Sequence, residues 1–428
     1  MVSGVMATDC RPCVGVAYGW QVWMKGCEMG LRGDAAVVGF AEWPAERRHG
    51  GSRSFQLEQW AELAAIALAD AGIASSEVNG IVTSDLRESA DFVPATVAEY
   101  LGWSVNFAER LDIGGASCVG MLWRAAAAIE LGVCDVVVCA TPSRPRPRPT
   151  NPRGPKQNWS SMGASSNEWG SPQAEFDIPH GNVAQNAGYA MIAQRYAAEF
   201  GYDPRALAKI AADQRTNANH NPLAVFHDVP ATIDDVLASR MVADPLHILE
   251  IVMPCHGGAA MVVTSRERAA KTPHRPAYIT GFGEHLAYKT HSYARDMVRT
   301  PIGPAAQQAF EMAGIGRGDV DASQLYDCYT ITVLLTIEDA GFCGKGEGLE
   351  FVNSHDLTFT GDFPVNTHGG QLGFGQPGLA GGMSQPLEAV RQIQGRGGER
   401  QVAGCDTVFV SGTGGIMSEQ GALILQGG

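Results

Sequence analysis

Residues 112–138 read DIGGASCVGMLWRAAAAIELGVCDVVV, and this stretch decides the fold. A glycine-rich turn opens it and leads into a strongly apolar helix over 121–132, which we expect to be buried on all sides. Residues 133–140 follow with a run of β-branched side chains, which predicts a strand buried on both faces. The stretch therefore indicates a helix packed inside a sheet-containing core.

Two strands and a helix are predicted upstream of this stretch. Residues 34–43, DAAVVGFAEW, predict a strand, and residues 55–73 carry apolar side chains at helical spacing up to Gly72, a plausible helix stop. Residues 80–85, GIVTSD, predict a second short strand. Strand, helix and strand in this order indicate an α/β fold with parallel pairing.

The second half of the chain repeats the first. AGIASSEV at 71–78 returns as AGIGRGDV at 313–320, and CDVVVCA at 134–140 returns as CDTVFVSG at 405–412. In the first pair, each copy follows an Ala-rich helix and precedes a strand. Two matches in the same order indicate internal duplication, with a site between the equivalent loops of two sheets.

The domain organisation follows from this repeat and from two segments that do not fit it. The first 33 residues do not fit the pattern of the rest. They are either a mobile extension or the result of an upstream start ahead of Met29. Residues 142–235 are too long for a simple connection and include two predicted helices, at 184–201 and 203–218. We expect an N-terminal extension (1–33), a first half (34–270) with an inserted helical subdomain (about 142–235), and a second half (271–428).

Residues 142–155, PSRPRPRPTNPRGP, form a proline- and arginine-rich stretch that opens this insertion. Its prolines exclude a helix interior or a central strand. It is either a solvated loop or an anion site, for example for a nucleotide phosphate of coenzyme A.

Composition excludes several classes of function. The chain has 428 residues, with 31 Lys+Arg against 45 Asp+Glu and a net charge of −14, which argues against nucleic-acid binding and docking on anionic membranes. No apolar run approaches the length of a membrane-spanning helix. The ten cysteines are scattered, and the Cys10/Cys13 pair has no partner at zinc spacing, so we expect unpaired thiols, no metal and a cytoplasmic location.

The 52 glycines concentrate in part at three junctions, 112–121, 366–383 and 411–415. Glycine-rich turns that lead into helices present backbone N–H groups, which could bind a phosphate or an oxyanion. None matches a dinucleotide-binding or P-loop pattern.

Three segments together resemble one family. They are residues 112–138, LYDCYTITVLLTIEDAGFC at 325–343 and NTHGGQLGFGQPGLAGGMSQPLEAV at 366–390. They look like the thiolase superfamily, in particular its branch of sterol-carrier-type thiolases, thiolase-like lipid-transfer proteins and aldolases. The resemblance covers roughly 34–428. It implies two βαβαβαββ halves in α-β-α-β-α layers, a usually dimeric protein, and coenzyme A thioesters as substrates, with no bound cofactor.

The positions that carry thiolase chemistry are changed in this chain. The nucleophilic cysteine of the family falls on Gly115, and Cys118 lies three residues later. The activating histidine falls on Gln376, and the second cysteine falls on Ser411 or Gly412. A glycine cannot be acylated, which excludes acyl transfer through position 115. A glutamine cannot act as a base, although it can donate a hydrogen bond to an oxyanion.

The remaining polar residues suit a reaction that passes through an enolate without a covalent nucleophile. Retro-aldol cleavage of a β-hydroxyacyl-CoA fits, with a tyrosine or histidine taking the hydroxyl proton. The catalytic candidates are Tyr326, Asp327, Tyr329, His368 and Cys118. The candidates for binding the oxyanion or substrate are Gln376, Gly115, His256, Ser411 and Gly414.

Several alternatives stay open from the residues alone. Tyr326 and Tyr329 could be packing residues on a strand, and Asp327 could cap the helix that follows. Cys118 could be a displaced nucleophile for a Claisen-type acyl transfer, since a helix N-terminus favours a thiolate. The chain could also be a non-catalytic acyl-CoA- or lipid-binding subunit.

The resemblance also implies partners. Thiolase-like aldolases that cleave steroid side chains are similar in lacking the nucleophile and using tyrosines, and they generally work with a small zinc-ribbon/OB-fold subunit. We expect a homodimer built on the sheet edges of the first half, and the resemblance implies such a partner as well.

Overall fold

The structure is a computed structural model that describes residues 31–89, 91–148, 170–171, 173–182, 185–289 and 291–428. The Cys10/Cys13 pair and most of the predicted extension lie outside these residues. From Leu31 onward the chain forms one compact unit. The backbone N–H groups of Arg32 and Asp34 both donate to the Glu130 carboxylate, so residues 31–33, predicted to belong to the extension, contact the folded body.

The described strands are β1 (Ala35–Glu42), β2 (Gly80–Thr83), β3 (Phe107–Arg110), β4 (Val136–Ser143), β5 (Met241–Ala243), β6 (Leu246–His247), β7 (Gly257–Ser265), β8 (Ala277–Leu286), β9 (Ala322–Gln324), β10 (Thr407–Gly414) and β11 (Glu419–Gly427). The described α-helices are α1 (Gln56–Ala71), α2 (Val93–Leu101), α3 (Ser117–Glu130), α4 (Gln185–Phe200), α5 (Pro204–Asn219), α6 (Ile233–Ala238), α7 (Arg266–Ala269), α8 (Ile302–Ala313), α9 (Thr330–Asp339), α10 (Gly348–Ser354), α11 (Gly370–Gly373) and α12 (Gly381–Ile393).

The strand order shows the same four-stranded unit twice, β2-β4-β7-β1 and β9-β10-β11-β8, with β3 added at the edge of the first. The order is β3-β2-β4-β7-β1 in the first half and β9-β10-β11-β8 in the second, and only two residue pairs join β1 to β8. The predicted parallel pairing holds for β2 with β4 and for β9 with β10. It is wrong for β1, which lies between the antiparallel strands β7 and β8. The reason is that β7, far along the chain, is inserted between β1 and β4.

Alternating side chains sort the core into layers. In β4, Val136 and Val138 pack with α1, whereas Val137 and Cys139 pack with α3. In β10, Phe409 packs toward α8 and α9, whereas Val408 and Val410 pack with α3 and α12. Helices α3 and α12 thus form a central layer between the two half-sheets, with other helices outside. This confirms the predicted α-β-α-β-α architecture.

The repeated sequence corresponds to a repeated structure. Helices α1 and α8 both end at a glycine in the left-handed region, Gly72 (φ 65°) and Gly314 (φ 68°), where other residues would be strained. A 3₁₀ turn follows in each half. In it Glu77 and Asp319 accept a hydrogen bond from the backbone N–H three residues earlier, at 3.0 and 2.7 Å. The internal duplication is therefore confirmed by matching caps and turns.

The first two residues of the insertion predicted at about 142–235 belong to β4, which extends to Ser143. Its helices α4 and α5 confirm the two helices predicted there, and Asp203 caps α5 by accepting from Arg205 N at 2.9 Å. Helix α5 packs against α9 and α11 of the second half. The arginine-rich stretch lies partly outside the described residues, from 149 on. In the described part of the chain, no helix combines the length and the apolar character that crossing a bilayer requires.

Candidate functional site

Tyr326 occupies the space in front of Gly115. An ideal Cβ built on Gly115 would come well within 3.0 Å of Tyr326 Oη, Tyr326 Cζ and the Thr413 carbonyl oxygen. A side chain at position 115 and the phenol of Tyr326 therefore exclude each other. In this chain the phenol stands where a nucleophilic side chain would project.

Local backbone contacts place Tyr326 there. Strand β9 ends at Gln324, so Tyr326 lies after the strand and not on it as predicted. The Tyr326 backbone N–H donates to Ser411 Oγ at 3.0 Å, which ties the turn to β10. Its ring is buried, 5% exposed.

Gln376 is the hydrogen-bond partner of this phenol. Gln376 Nε2 donates to Tyr326 Oη at 3.1 Å. The Gln376 backbone is fixed on both sides, since its N–H donates to Met253 O at 2.8 Å and its carbonyl accepts from Cys255 N at 3.0 Å. The position where the family resemblance predicts an activating histidine thus holds a hydrogen-bond donor to Tyr326.

Burial dominates the electrostatics of the phenol. It raises the pKa of Tyr326 well above the ordinary value of 10.0, and the side chains of Gln371 and Gln376 oppose the rise. At neutral pH Tyr326 is a neutral phenol. Its oxygen already accepts from Gln376, so its O–H hydrogen is available to another group.

Tyr329 forms a second aromatic wall. Its Oη donates to Asn186 Oδ1 at 2.6 Å, and its ring stacks on Tyr189 with centroids 4.0 Å apart. Burial raises the pKa of Tyr329 well above its ordinary value. Tyr189 in turn donates from Oη to Gly415 O at 3.3 Å, which connects helix α4 to the loop after β10.

Asp327 caps a helix, but not the helix predicted from the sequence. Its carboxylate accepts from the backbone N–H groups of Gln371 (2.8 Å) and Leu372 (3.1 Å) at the start of α11, and from Gln385 Nε2 (3.0 Å). Burial raises the pKa of Asp327 to about 7, and these hydrogen bonds counteract the rise. Asp327 therefore shapes the glycine-rich segment that carries Gln376, as a positioning residue.

Three glycine-rich segments meet backbone to backbone around Tyr326. A Cβ on Gly114 would lie 2.8 Å from Gly414 Cα, and one on Gly414 would overlap the carbonyl oxygen of Ile113. A Cβ on Gly382, at the start of α12, would overlap the carbonyl oxygen of Gly115. The absence of side chains at Gly114, Gly382 and Gly414 is therefore required for this close approach.

Comparison with known proteins fits this arrangement. A protein-family model described as thiolase C-terminal domain-like matches residues 283–427. A steroid side-chain-cleaving aldolase of Thermomonospora curvata is 32% identical, over 90% of this chain and 96% of that protein. A 17-hydroxy-3-oxo-4-pregnene-20-carboxyl-CoA lyase of Mycobacterium tuberculosis is 33% identical, over 90% and 97%.

The chain belongs to the thiolase superfamily, in its aldolase branch. A solved structure described as an Ltp2-ChsH2(DUF35) aldolase superposes with a TM-score of 0.79 at 30% identity, and the match covers 93% of this chain and 98% of that one. The protein is accordingly a thiolase-superfamily enzyme.

Cys118 of this thiolase-superfamily enzyme is not a free thiolate. It lies in the first turn of α3, is 1% exposed, and its Sγ donates to Leu379 O at 3.3 Å. Burial raises the pKa of Cys118 to about 12. The expectation that the helix N-terminus favours its thiolate is wrong, because the cost of burying the charge exceeds the gain from the helix end.

The two candidate histidines are not joined to Tyr326 by a hydrogen bond in the described residues. His368 is buried beside Phe374, its ring nitrogens have no hydrogen-bond partner among the residues that the structure describes, and burial lowers its pKa to about 3. His256 pairs through its backbone with Glu46, at 2.8 Å in both directions. Its neighbour Cys255 contacts the Gln376 backbone, which places His256 near that segment. The catalytic role of His368 and the oxyanion- or substrate-binding role of His256 both stay predictions.

Sequence reasoning missed residues that the inserted helices supply. Asn186 and Tyr189 of α4 contact Tyr329 and the loop after β10. His291 is fully buried, neither of its ring nitrogens has a hydrogen-bond partner in the described part of the chain, and its ring occupies the space that a side chain at Gly188 would fill. Gly188, a glycine within the otherwise regular helix α4, was the available signal, since such a glycine marks the close approach of another chain segment.

We predict that Gly115→Ala destabilises the protein by about 1–3 kcal/mol and lowers its activity, because the added Cβ overlaps Tyr326 Oη and a backbone carbonyl. Thermal unfolding and steady-state kinetics measure both effects. Gly303→Ala on α8, where a Cβ meets nothing nearer than 3.4 Å, is the control. An unchanged melting temperature together with full activity in Gly115→Ala would contradict the packing described above.

Proposed function

We propose that this enzyme cleaves a β-hydroxyacyl-CoA thioester by a retro-aldol reaction, with Tyr326 moving the proton. One observation carries the proposal: the phenol of Tyr326 stands in the space where a covalent nucleophile would project from position 115. A site that has no nucleophile at position 115 and has a phenol in its place favours proton transfer over acyl transfer.

The reaction balances without an added base. The O–H bond of the β-hydroxyl breaks, and its electron pair forms the new C=O bond at the β-carbon. The bond between the α- and β-carbons breaks, and that electron pair passes to the thioester as an enolate. A proton then bonds to the α-carbon. The products are a carbonyl compound and a shortened acyl-CoA. No net proton is gained or lost.

A neutral phenol suits this proton balance. Tyr326 can accept the hydroxyl proton on its oxygen while its own hydrogen passes toward the enolate carbon, since a phenol is both donor and acceptor. The raised pKa of Tyr326 disfavours a resting phenolate, and such a relay does not need one. The hydrogen bond from Gln376 holds the phenol oxygen in position while one proton arrives and the other leaves.

Gln376 also offers a donor to the enolate. Its amide nitrogen carries two hydrogens, and Tyr326 Oη accepts one of them. We assign the other to the thioester oxygen, which becomes negative as the carbon–carbon bond breaks. Ser411 and Asp327 act indirectly, by holding the Tyr326 backbone and the segment before Gln376.

We predict that the reaction leaves Cys118 unmodified and that Cys118→Ala retains activity, since this thiol is buried and its pKa is about 12. The test is incubation with a β-hydroxyacyl-CoA, analysis of the products, and intact-protein mass spectrometry. We expect a carbonyl product with a shortened acyl-CoA and no mass shift. An acyl adduct on Cys118, or loss of activity in Cys118→Ala, would favour the Claisen reaction instead.

We further propose a homodimer, a small partner subunit and a cytoplasmic location. The dimer would use the first-half sheet edge at β3, where Phe92 is 84% exposed beside Arg110. An exposed aromatic residue next to an edge strand is a typical contact for a second chain. A zinc-ribbon/OB-fold partner is suggested by the solved relative, whose description includes a DUF35 component.

A further inference from the structure

Two buried polar side chains beside helix α4 have atoms without a hydrogen-bond partner. His291 is 0% exposed and Asp177 is 4% exposed. Both ring nitrogens of His291 and the Oδ2 atom of Asp177 make no hydrogen bond with the residues that the structure describes. Buried polar atoms in folded proteins are almost always paired, because burial removes the hydrogen bonds that they make with water. Three unpaired atoms on adjoining residues indicate a site for a bound polar group.

Hydrogen bonds hold these two side chains next to each other. Ser292 directly follows His291, and its Oγ donates to Asp177 Oδ1 at 2.7 Å. Asn182 Nδ2 donates to the same carboxylate oxygen at 3.4 Å. Both bonds engage Oδ1 and not Oδ2. The Asp177 carboxylate acts electrostatically on the His291 ring, although no hydrogen bond joins the two in the described part of the chain. We call these two residues the His291–Asp177 pair.

The His291–Asp177 pair adjoins the aromatic wall of the active site. A Cβ on Gly188 of α4 would lie 2.8 Å from His291 Nδ1, so this ring packs directly on the helix backbone. The next residue of the helix, Tyr189, stacks on Tyr329 with ring centroids 4.0 Å apart. Tyr329 lies three residues along the chain from the phenol that we assign to proton transfer. An acyl group that extends from the reacting carbon along this wall would therefore approach the pair.

The chemistry of the pair favours a hydroxyl group. Burial lowers the pKa of His291, so at neutral pH its imidazole is uncharged and offers one N–H donor and one acceptor nitrogen. The Asp177 carboxylate offers an acceptor oxygen. A hydroxyl can accept from the imidazole N–H and donate to the carboxylate at the same time. A carbonyl group has no hydrogen to donate, and a methylene group can form neither bond.

We propose that the His291–Asp177 pair binds a hydroxyl group of the acyl portion of the substrate, at a position beyond the β-hydroxyl. The inference rests on the proposed retro-aldol substrate and adds a second oxygen to it. A substrate without this hydroxyl would leave the buried atoms of the pair unpaired, and a site of this kind discriminates strongly against such an analogue. The pair is thus a specificity site, separate from the residues that move the proton.

The test uses 3-hydroxydodecanoyl-CoA and four derivatives that carry a second hydroxyl on carbon 6, 8, 10 or 12. Retro-aldol cleavage of each compound gives acetyl-CoA and an aldehyde, and the series samples different distances from the β-carbon. Competition between the parent compound and each derivative gives a ratio of kcat/KM that does not depend on the fraction of folded enzyme. In the wild type we expect one derivative to be preferred by about 10- to 100-fold, the effect of a hydrogen bond to a charged group.

Two variants of the pair and one control assign this preference. His291→Phe keeps a planar ring without its nitrogens and should bring the ratio to within about twofold of unity. Asp177→Asn should lower the ratio by about tenfold, because an amide oxygen is a weaker acceptor than a carboxylate. His180→Phe changes an exposed histidine near Asp177 in the same inserted segment and should leave the wild-type ratio unchanged.

The outcomes separate this inference from the proposed reaction. Equal kcat/KM for the parent compound and all four derivatives in the wild type would overturn the hydroxyl site and leave retro-aldol cleavage intact. A preference that survives in His291→Phe would do the same. Calorimetric titration with the same compounds covers the opposite case. Tighter binding of one hydroxylated thioester by the wild type than by His291→Phe, with no acetyl-CoA released from any compound, would uphold the site and refute the reaction.

Discussion

Tyr326→Phe is expected to lower kcat by about 10²–10⁴-fold, the usual contribution of a positioned proton-transfer group. The substitution keeps the ring that fills the space before Gly115 and removes only the hydroxyl. Binding of the acyl-CoA through its other contacts should persist, so KM should change little. Steady-state kinetics on a β-hydroxyacyl-CoA measures both parameters.

The control for this variant is a second buried tyrosine away from the site. Tyr278 on β8 is 8% exposed, and its hydroxyl has no hydrogen bond in the described residues. Tyr278→Phe should keep full kcat. A Tyr326→Phe enzyme that folds and turns over at the wild-type rate would refute the assignment of the proton transfer to this phenol.

Glu388→Gln is expected to destabilise the protein by roughly 3–5 kcal/mol, the typical cost of breaking a buried ion pair by changing one partner. Glu388 is fully buried on α12. It accepts from Arg391 Nη1 at 2.6 Å, from Arg400 Nη2 at 3.1 Å and from Thr367 Oγ1 at 2.8 Å. Arg391 also pairs with Glu42 of β1 at 2.7 Å, so the network joins both halves.

Loss of the Glu388 charge leaves Arg400 buried without its anion. Chemical denaturation of wild type and variant measures the difference in unfolding free energy. Glu267→Gln, which removes an exposed pair with Lys271, should change stability by less than about 1 kcal/mol. A Glu388→Gln variant as stable as the Glu267→Gln control would show that the network contributes no net stability.

The difference in unfolding free energy between wild type and Glu388→Gln depends on pH in a defined direction. Burial alone would raise the pKa of Glu388, but Arg400 and Arg391 hold that pKa well below the ordinary value of 4.5. A carboxyl with a lowered folded-state pKa contributes stability that is present above its unfolded pKa and is lost as the pH falls through the folded pKa. The difference in unfolding free energy between wild type and Glu388→Gln should therefore be largest at neutral pH and decrease in acid.

The local sequence pattern was sufficient to predict most of the secondary structure. The β-branched run that became β4 and the helical spacing of α1 up to Gly72 reflect short-range periodicity and backbone sterics, which the residues themselves carry. The internal repeat likewise predicted two equivalent halves. The sequence-based errors arose where a distant segment intervened, as when β7 was inserted between β1 and β4.

The same distinction holds for the active site: one feature follows from the sequence alone, and the others depend on the tertiary structure. Gly115 by itself excluded a covalent nucleophile at that position, because a missing side chain is a property of the residue. The position of the Tyr326 phenol, the capping of α11 by Asp327 and the burial of Cys118 depend on chain segments far apart in sequence. Their chemistry depends on desolvation and on contacts between those segments, which only the tertiary structure decides.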